Sequence, residues 1–147
     1  MEKYMKIAIN EAKKAYKKGD IPVGAIIVKN NKIISKAYNK KEKNNCPIDH
    51  AEILAIKKAC KKLKTWHLDD CTLYVTMEPC LMCAGALVQS RIKKVVYGVE
   101  NIKFGFAGSI DNILENKSMN HTIEITKKVC EKEIANMLKE FFKDKRK

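Results

Sequence analysis

Apolar residues recur at helical spacing from the start of the chain. Tyr4, Ile7, Ala8, Ala12, Ala15 and Tyr16 fall on one face of a helix predicted from Met1 to Lys18, and Gly19-Asp20 closes it. The period then shortens. Val23 to Val28 reads as an apolar strand, Asn30-Asn31 as a turn, and Lys32 to Tyr38 as the hairpin partner. A polar loop runs from Asn39 to Asp49. Helical spacing returns from Ala51 to Leu63, with Ile53, Leu54, Ile56, Ala59 and Cys60 predicted inward. Thr72 to Met77 is a buried strand, Cys80 to Arg91 a helix led by Pro79, and Lys94 to Gly98 another strand. A Gly/Phe loop covers Asn101 to Gly108, and Ile110 to Leu114 fits one helical turn. Thr122 to Ile125 is a short last strand, and Lys127 to Phe142 a terminal helix capped by Thr126.

The order α-β-β-α-β-α-β-β-α predicts an α/β fold, with one sheet of about five strands covered by helices on both faces. No repeat, long linker or composition break divides residues 1–147, so a single domain is expected. No apolar run nears the ~18 residues of a membrane span, which excludes an integral helical membrane protein. The N-terminus has no signal-peptide pattern, so a cytoplasmic location is expected.

Charge adds a partner class. Thirty basic residues against 17 acidic ones give a net +13, and only Arg91 and Arg146 are arginine. An excess of that size favours a polyanion through counterion release, although much of it also serves as solvated surface.

Six cysteines in a chain without a signal read as thiols or metal ligands rather than disulfides. Cys60 and Cys130 sit at apolar helical positions and are expected in the core, whereas Cys71 has no partner signal. Cys80 and Cys83 are i and i+3 at a helix start, so both sulfurs share one face and the backbone N–H groups favour thiolates. His50 comes from the start of another helix. One His and two Cys make three zinc ligands and leave the fourth tetrahedral position for water, which marks a catalytic rather than a structural site. Cys46 is not taken as a fourth ligand, because it would displace that water and Pro47 follows it. Glu52, two residues after His50, is the expected proton carrier, first base and then acid. The H-x-E…P-C-x-x-C pattern matches the known signature of the zinc deaminases. A redox dithiol would leave His50-Ala51-Glu52 without a purpose.

The stretch Val75-Thr76-Met77-Glu78-Pro79-Cys80-Leu81-Met82-Cys83-Ala84-Gly85-Ala86-Leu87 closely resembles the bacterial tRNA-specific adenosine deaminases. So do Ile21-Pro22-Val23-Gly24-Ala25, Gly108-Ser109 and the tail Met119-Asn120-His121 … Ile123-Glu124-Ile125-Thr126 … Phe141-Phe142. The tail discriminates, since the zinc signature is shared with cytidine, cytosine and guanine deaminases. The resemblance implies a three-layer α/β/α cytidine-deaminase-like fold, a homodimer, one zinc per subunit, and conversion of wobble adenosine to inosine in a tRNA anticodon stem-loop. It makes His50, Cys80 and Cys83 the ligands and Glu52 the proton shuttle. It gives Asn39 the purine through its side-chain amide, and Val23 and Met77 the walls of the base pocket. From the residues alone, a loop-stabilising role is the favoured reading of Asn39. Asn101, Lys103, Asn120, Phe142, Lys143 and Arg146 are the implied RNA contacts, suited to splayed bases and phosphates.

Three places depart from the family pattern. Cys46-Pro47-Ile48-Asp49 stands where D-P-T-A is usual, Asn101 where Asp is usual, and Lys40-Lys41 where Arg is usual. The rival reading is a free nucleobase deaminase acting on guanine or cytosine, which shares the zinc chemistry and has no need of the basic charge.

Overall fold

The computed structural model describes residues 1–145. Its elements are α1 (Glu2–Lys17), β1 (Gly24–Lys29), β2 (Lys32–Tyr38), α2 (Lys41–Asn44), α3 (Ala51–Leu63), β3 (Cys71–Met77), α4 (Leu81–Ser90), β4 (Lys94–Val99), β5 (Glu124–Thr126) and α5 (Glu131–Lys145). The sheet order is β2-β1-β3-β4-β5. β1 pairs antiparallel with β2 and β3, while β3, β4 and β5 run parallel. The mixed five-stranded sheet with helices on both faces is the predicted architecture.

Alternation along the strands builds two cores. Ala25 and Ile27 of β1, with Leu73 and Val75 of β3, pack toward α3 and α4. Ile26 and Val28, with Tyr74 and Val96, pack toward α1 and α5. α1 buries Met5, Ala8, Ile9, Ala12 and Ala15, so its inward stripe is turned slightly from the predicted one, and Tyr4 and Ile7 pack at its margin. Its close approach explains Gly24, where a Cβ would overlap the Ala8 carbonyl oxygen.

Four expectations are corrected. α3 faces the sheet with Ala51, Ala55 and Ala59, and the bulkier Ile53, Leu54, Ile56 and Cys60 are only half-buried. Small residues let the helix axis lie close to the sheet, which pushes the large side chains to its flanks. The loop after β2 contains the single turn α2. Residues 110–114 form bends and one isolated bridge, from Asn112 to Ala107, rather than a helix, since side chains claim the backbone there: Asn112 Oδ1 accepts from the Glu115 N–H at 3.1 Å. The last helix begins at Glu131, not Lys127, because Lys128 and Cys130 hold φ of 65° and 57°, which helix geometry excludes. Thr126 therefore ends β5 instead of capping a helix, and Cys130 lies in the connection.

Candidate active site

The three proposed ligands stand at the N-termini of two helices that pack on the same sheet face. His50 is the N-cap of α3 with extended backbone, and Cys80 is the N-cap of α4, with Cys83 in its first turn. His50 Nδ1 lies 3.7 Å from Cys80 Sγ and 3.6 Å from Cys83 Sγ. All three donor atoms fall within 4.8 Å of one another. A tetrahedral zinc with bonds of ~2.3 Å to sulfur and ~2.0–2.1 Å to nitrogen has S···N edges of about 3.6 Å, so the spacing fits that ion. Cys46 is outside the group.

The protonation pattern points the same way. Hydrogen bonds from Cys83 and then His50 outweigh burial and pull the Cys80 thiol down to about 4. Cys83 is pushed up, first by sharing a hydrogen with Cys80 and then by burial. The bond to Cys80 also raises His50. The cluster thus holds one thiolate and protons that a divalent cation would displace. Burial holds Glu52 up at about 7. Its Oε1 has no hydrogen-bond partner among the described residues. An orphaned buried carboxylate oxygen beside an N,S,S donor set is what a zinc site with a water in its open position requires.

His50, Glu52 and Cys80 line a cavity of about 350 Å³. Ile21 and Val23 enter it ahead of β1, Asn39 and Lys41 follow β2, and His50 and Glu52 open α3. Met77, Glu78 and Cys80 come from the end of β3, and Asn101 and Phe104 from the loop after β4. The site therefore sits beyond the carboxyl ends of the parallel strands β3 and β4, the usual place for ligands in such sheets.

Asn39 braces the start of α3 and also lines the cavity. Its Oδ1 accepts from the Ala51 N–H at 2.7 Å, satisfying a free donor at the start of α3. Its Nδ2 has no partner among the described residues and belongs to the cavity wall. Val23, Met77 and Asn101 line the cavity. Lys103 is exposed beside it without lining it.

Phe142 and Lys143 lie outside the cavity but at its end of the molecule. Tyr16 donates to Asp144 Oδ2 at 2.6 Å, tying the end of α5 to the end of α1. There Lys18 Nζ donates to the Tyr38 hydroxyl at 2.8 Å, next to Asn39. Arg146 lies outside the described residues. Asn120 is not brought to the cavity of its own chain. It adjoins His121, whose Nε2 is 2.7 Å from the Ile92 carbonyl oxygen, ahead of β4 and at the opposite end of the strand. Phe141 is core, stacked edge-on against Tyr16.

Sequence reasoning missed Ile21, Lys41, Glu78 and Phe104. Ile21 and Glu78 were inside the resembling motifs and Phe104 was in the Gly/Phe loop, yet nothing in their spacing separates a cavity wall from ordinary packing.

Four likenesses to known proteins accompany this geometry. The family model for MafB19-like deaminase matches residues 1–146. A tRNA-specific adenosine deaminase of Bacillus subtilis (strain 168) is 50% identical over 146 residues, 99% of this chain and 91% of that one. A solved structure from a study of A-to-I editing by tRNA:A34 deaminases at the wobble position superposes with a TM-score of 0.90. It is 32% identical and covers 94% of this chain and 100% of that one. A Bacillus subtilis guanine deaminase is 38% identical, with a TM-score of 0.67, over 84% of this chain and 82% of that one. The chain belongs to the MafB19-like deaminases and, among them, to the tRNA-specific adenosine deaminases.

Proposed function

We propose that this chain is a zinc-dependent hydrolase that converts the wobble adenosine of a tRNA anticodon loop to inosine, acting in the cytoplasm as a homodimer. The observation that carries the reading is the union of the 50% identity over nearly the whole chain with the His50, Cys80 and Cys83 cluster at a cavity that Glu52 lines, Glu52 Oε1 having no hydrogen-bond partner among the described residues. Zinc held by His50, Cys80 and Cys83 would activate a water for attack at neutral pH. Glu52 takes a proton from the attacking water and delivers it to the purine ring nitrogen beside the amine-bearing carbon. The same carboxyl then moves a proton to the exocyclic amine, which leaves as ammonia. Asn39 Nδ2 orients the purine, and Val23 and Met77 exclude water from its faces.

The half-buried face of α3 and α4 supports the dimer. Ile56, Cys60, Trp66 and Ala86 border one open depression there, and Trp66 and Leu81 are 59% and 54% exposed. Large apolar side chains left on one face mark an interaction surface.

The basic end formed by Lys18, Lys40, Lys41, Lys143 and Lys145 suits phosphates. Binding of an anticodon hairpin is expected to weaken steeply with salt, and Lys143→Ala to lower affinity by about two- to fivefold and reduce the log–log salt slope by roughly 1. Filter binding at a series of salt concentrations measures both. Salt-independent affinity contradicts an RNA partner.

The likeness to guanine deaminase keeps one rival in view, a free-base deaminase with the same metal chemistry. Anticodon hairpin, guanine and cytosine offered in parallel, with ammonia as the readout, separate the two.

A further inference from the structure

Glu78 ends the strand that leads to the metal-bearing turn, and its side chain is buried with 1% of its surface exposed. It takes part in no ion pair among the described residues. Its charge is met instead by one loop. Oε1 accepts from the Asn101 N–H at 3.0 Å and from the Ser109 hydroxyl. Oε2 accepts from the Ala107 N–H at 2.9 Å and the Ser109 N–H at 3.0 Å. A buried carboxylate is tolerated when donors surround it in this way, and bonds to a charged acceptor are the strong ones. Two further contacts close the same junction. The Phe106 N–H donates to the Pro79 carbonyl oxygen at 2.9 Å, and Cys80 pairs with Gly105 as an isolated bridge. A Cβ on Gly105 would overlap the Glu78 carboxylate, so the loop can close on it only with glycine there.

We infer that Glu78 is a positioning residue for substrate specificity: its carboxylate clasps the loop of residues 101–109 to the turn that carries Cys80, and so fixes Asn101 and Phe104 as one wall of the base cavity. The inference rests on the reading of that cavity as the nucleoside site. Its physical content is a coupling: one anionic group sets the distance between the metal-bearing turn and the loop that faces the substrate. Phe104 is 64% exposed and contributes no core packing that would hold the loop in place of the clasp.

Glu78→Gln is the graded variant. A glutamine amide can keep the Ala107 and Ser109 N–H groups on its oxygen, and Ser109 Oγ can turn to accept, but its NH₂ then faces the Asn101 N–H. Hydrogen exchange is therefore expected to speed up at the Asn101 amide while Ala107 stays protected. KM for an anticodon hairpin should rise about tenfold with kcat within about threefold, and zinc content should stay at wild-type level. Gly105→Ala opens the same junction without touching Glu78 and should give the same split of KM against kcat, so it carries the test if Glu78→Gln fails to fold. A wild-type KM in either folded variant, or a fall in kcat with KM unchanged, overturns the clasp. Turnover of the hairpin by the wild-type protein tests the function separately. If the wild type acts only on a free base, KM for that base and the exchange pattern still decide the clasp.

Discussion

Glu52→Gln is expected to lower turnover by about 10²–10⁴-fold while leaving zinc content and hairpin affinity intact. The carboxylate is buried, sits in the first turn of α3 two residues from His50, and has an oxygen without a partner among the described residues. Glutamine has nearly the same shape and cannot carry a proton, so it removes the chemistry and leaves the packing. Single-turnover kinetics together with metal analysis check this, and undiminished inosine formation would remove Glu52 from the mechanism. The same substitution has a stability signature in the metal-free protein. Burial raises the Glu52 carboxyl from 4.5 to about 7. Between those values the folded state holds a proton that the unfolded chain has released, so stability falls as pH rises and the loss is complete above about 7. Glu52→Gln removes that slope. In the presence of chelator it should be more stable than wild type at pH 8 by up to about 3 kcal/mol, and close to it below pH 4.5. Urea unfolding at both pH values measures the difference, and parallel pH profiles would contradict it.

Cys83→Ser is expected to cost roughly 10²–10³-fold in zinc affinity, about a third of a site free energy of order 10 kcal/mol. Cys83 is fully buried, 3.6 Å from His50 Nδ1, and has no substitute, since Cys46 lies outside the cluster. Activity should fall to background at substoichiometric zinc and return in part when zinc is added in excess. Competition with a chromophoric chelator reads the affinity directly. An affinity equal to wild type would mean that the metal is held elsewhere.

The cluster of His50, Cys80 and Cys83 was legible because metal chemistry imposes spacing. Cys80 and Cys83 at i and i+3, and His50 two residues from Glu52, are constraints that few other uses of these residues satisfy. The sheet was legible for the same reason, since strands buried on both faces read as apolar runs such as Ala25 to Val28. The face of α3 was not. Periodicity ranks Ile53 and Leu54 above alanine, whereas close packing on the sheet chooses Ala51, Ala55 and Ala59. The start of α5 was missed because the left-handed backbone at Lys128 and Cys130 leaves no composition signal. Phe104 and Glu78 were missed because their roles depend on a loop folding back over the end of β3, a tertiary event with no local period. Asn120 came from a tail motif, and the fold sets it beside His121, whose ring meets the Ile92 carbonyl ahead of β4, rather than in the lining of the cavity.

The most direct test of the account is to incubate the zinc-loaded protein with a set of anticodon stem-loops carrying adenosine at the wobble position, and in parallel with guanine and cytosine, reading inosine by nucleoside analysis and ammonia release. The account predicts inosine at the wobble position of at least one hairpin, one ammonia per inosine, and no turnover of the free bases. Ammonia from guanine or cytosine with every hairpin left unchanged would contradict it.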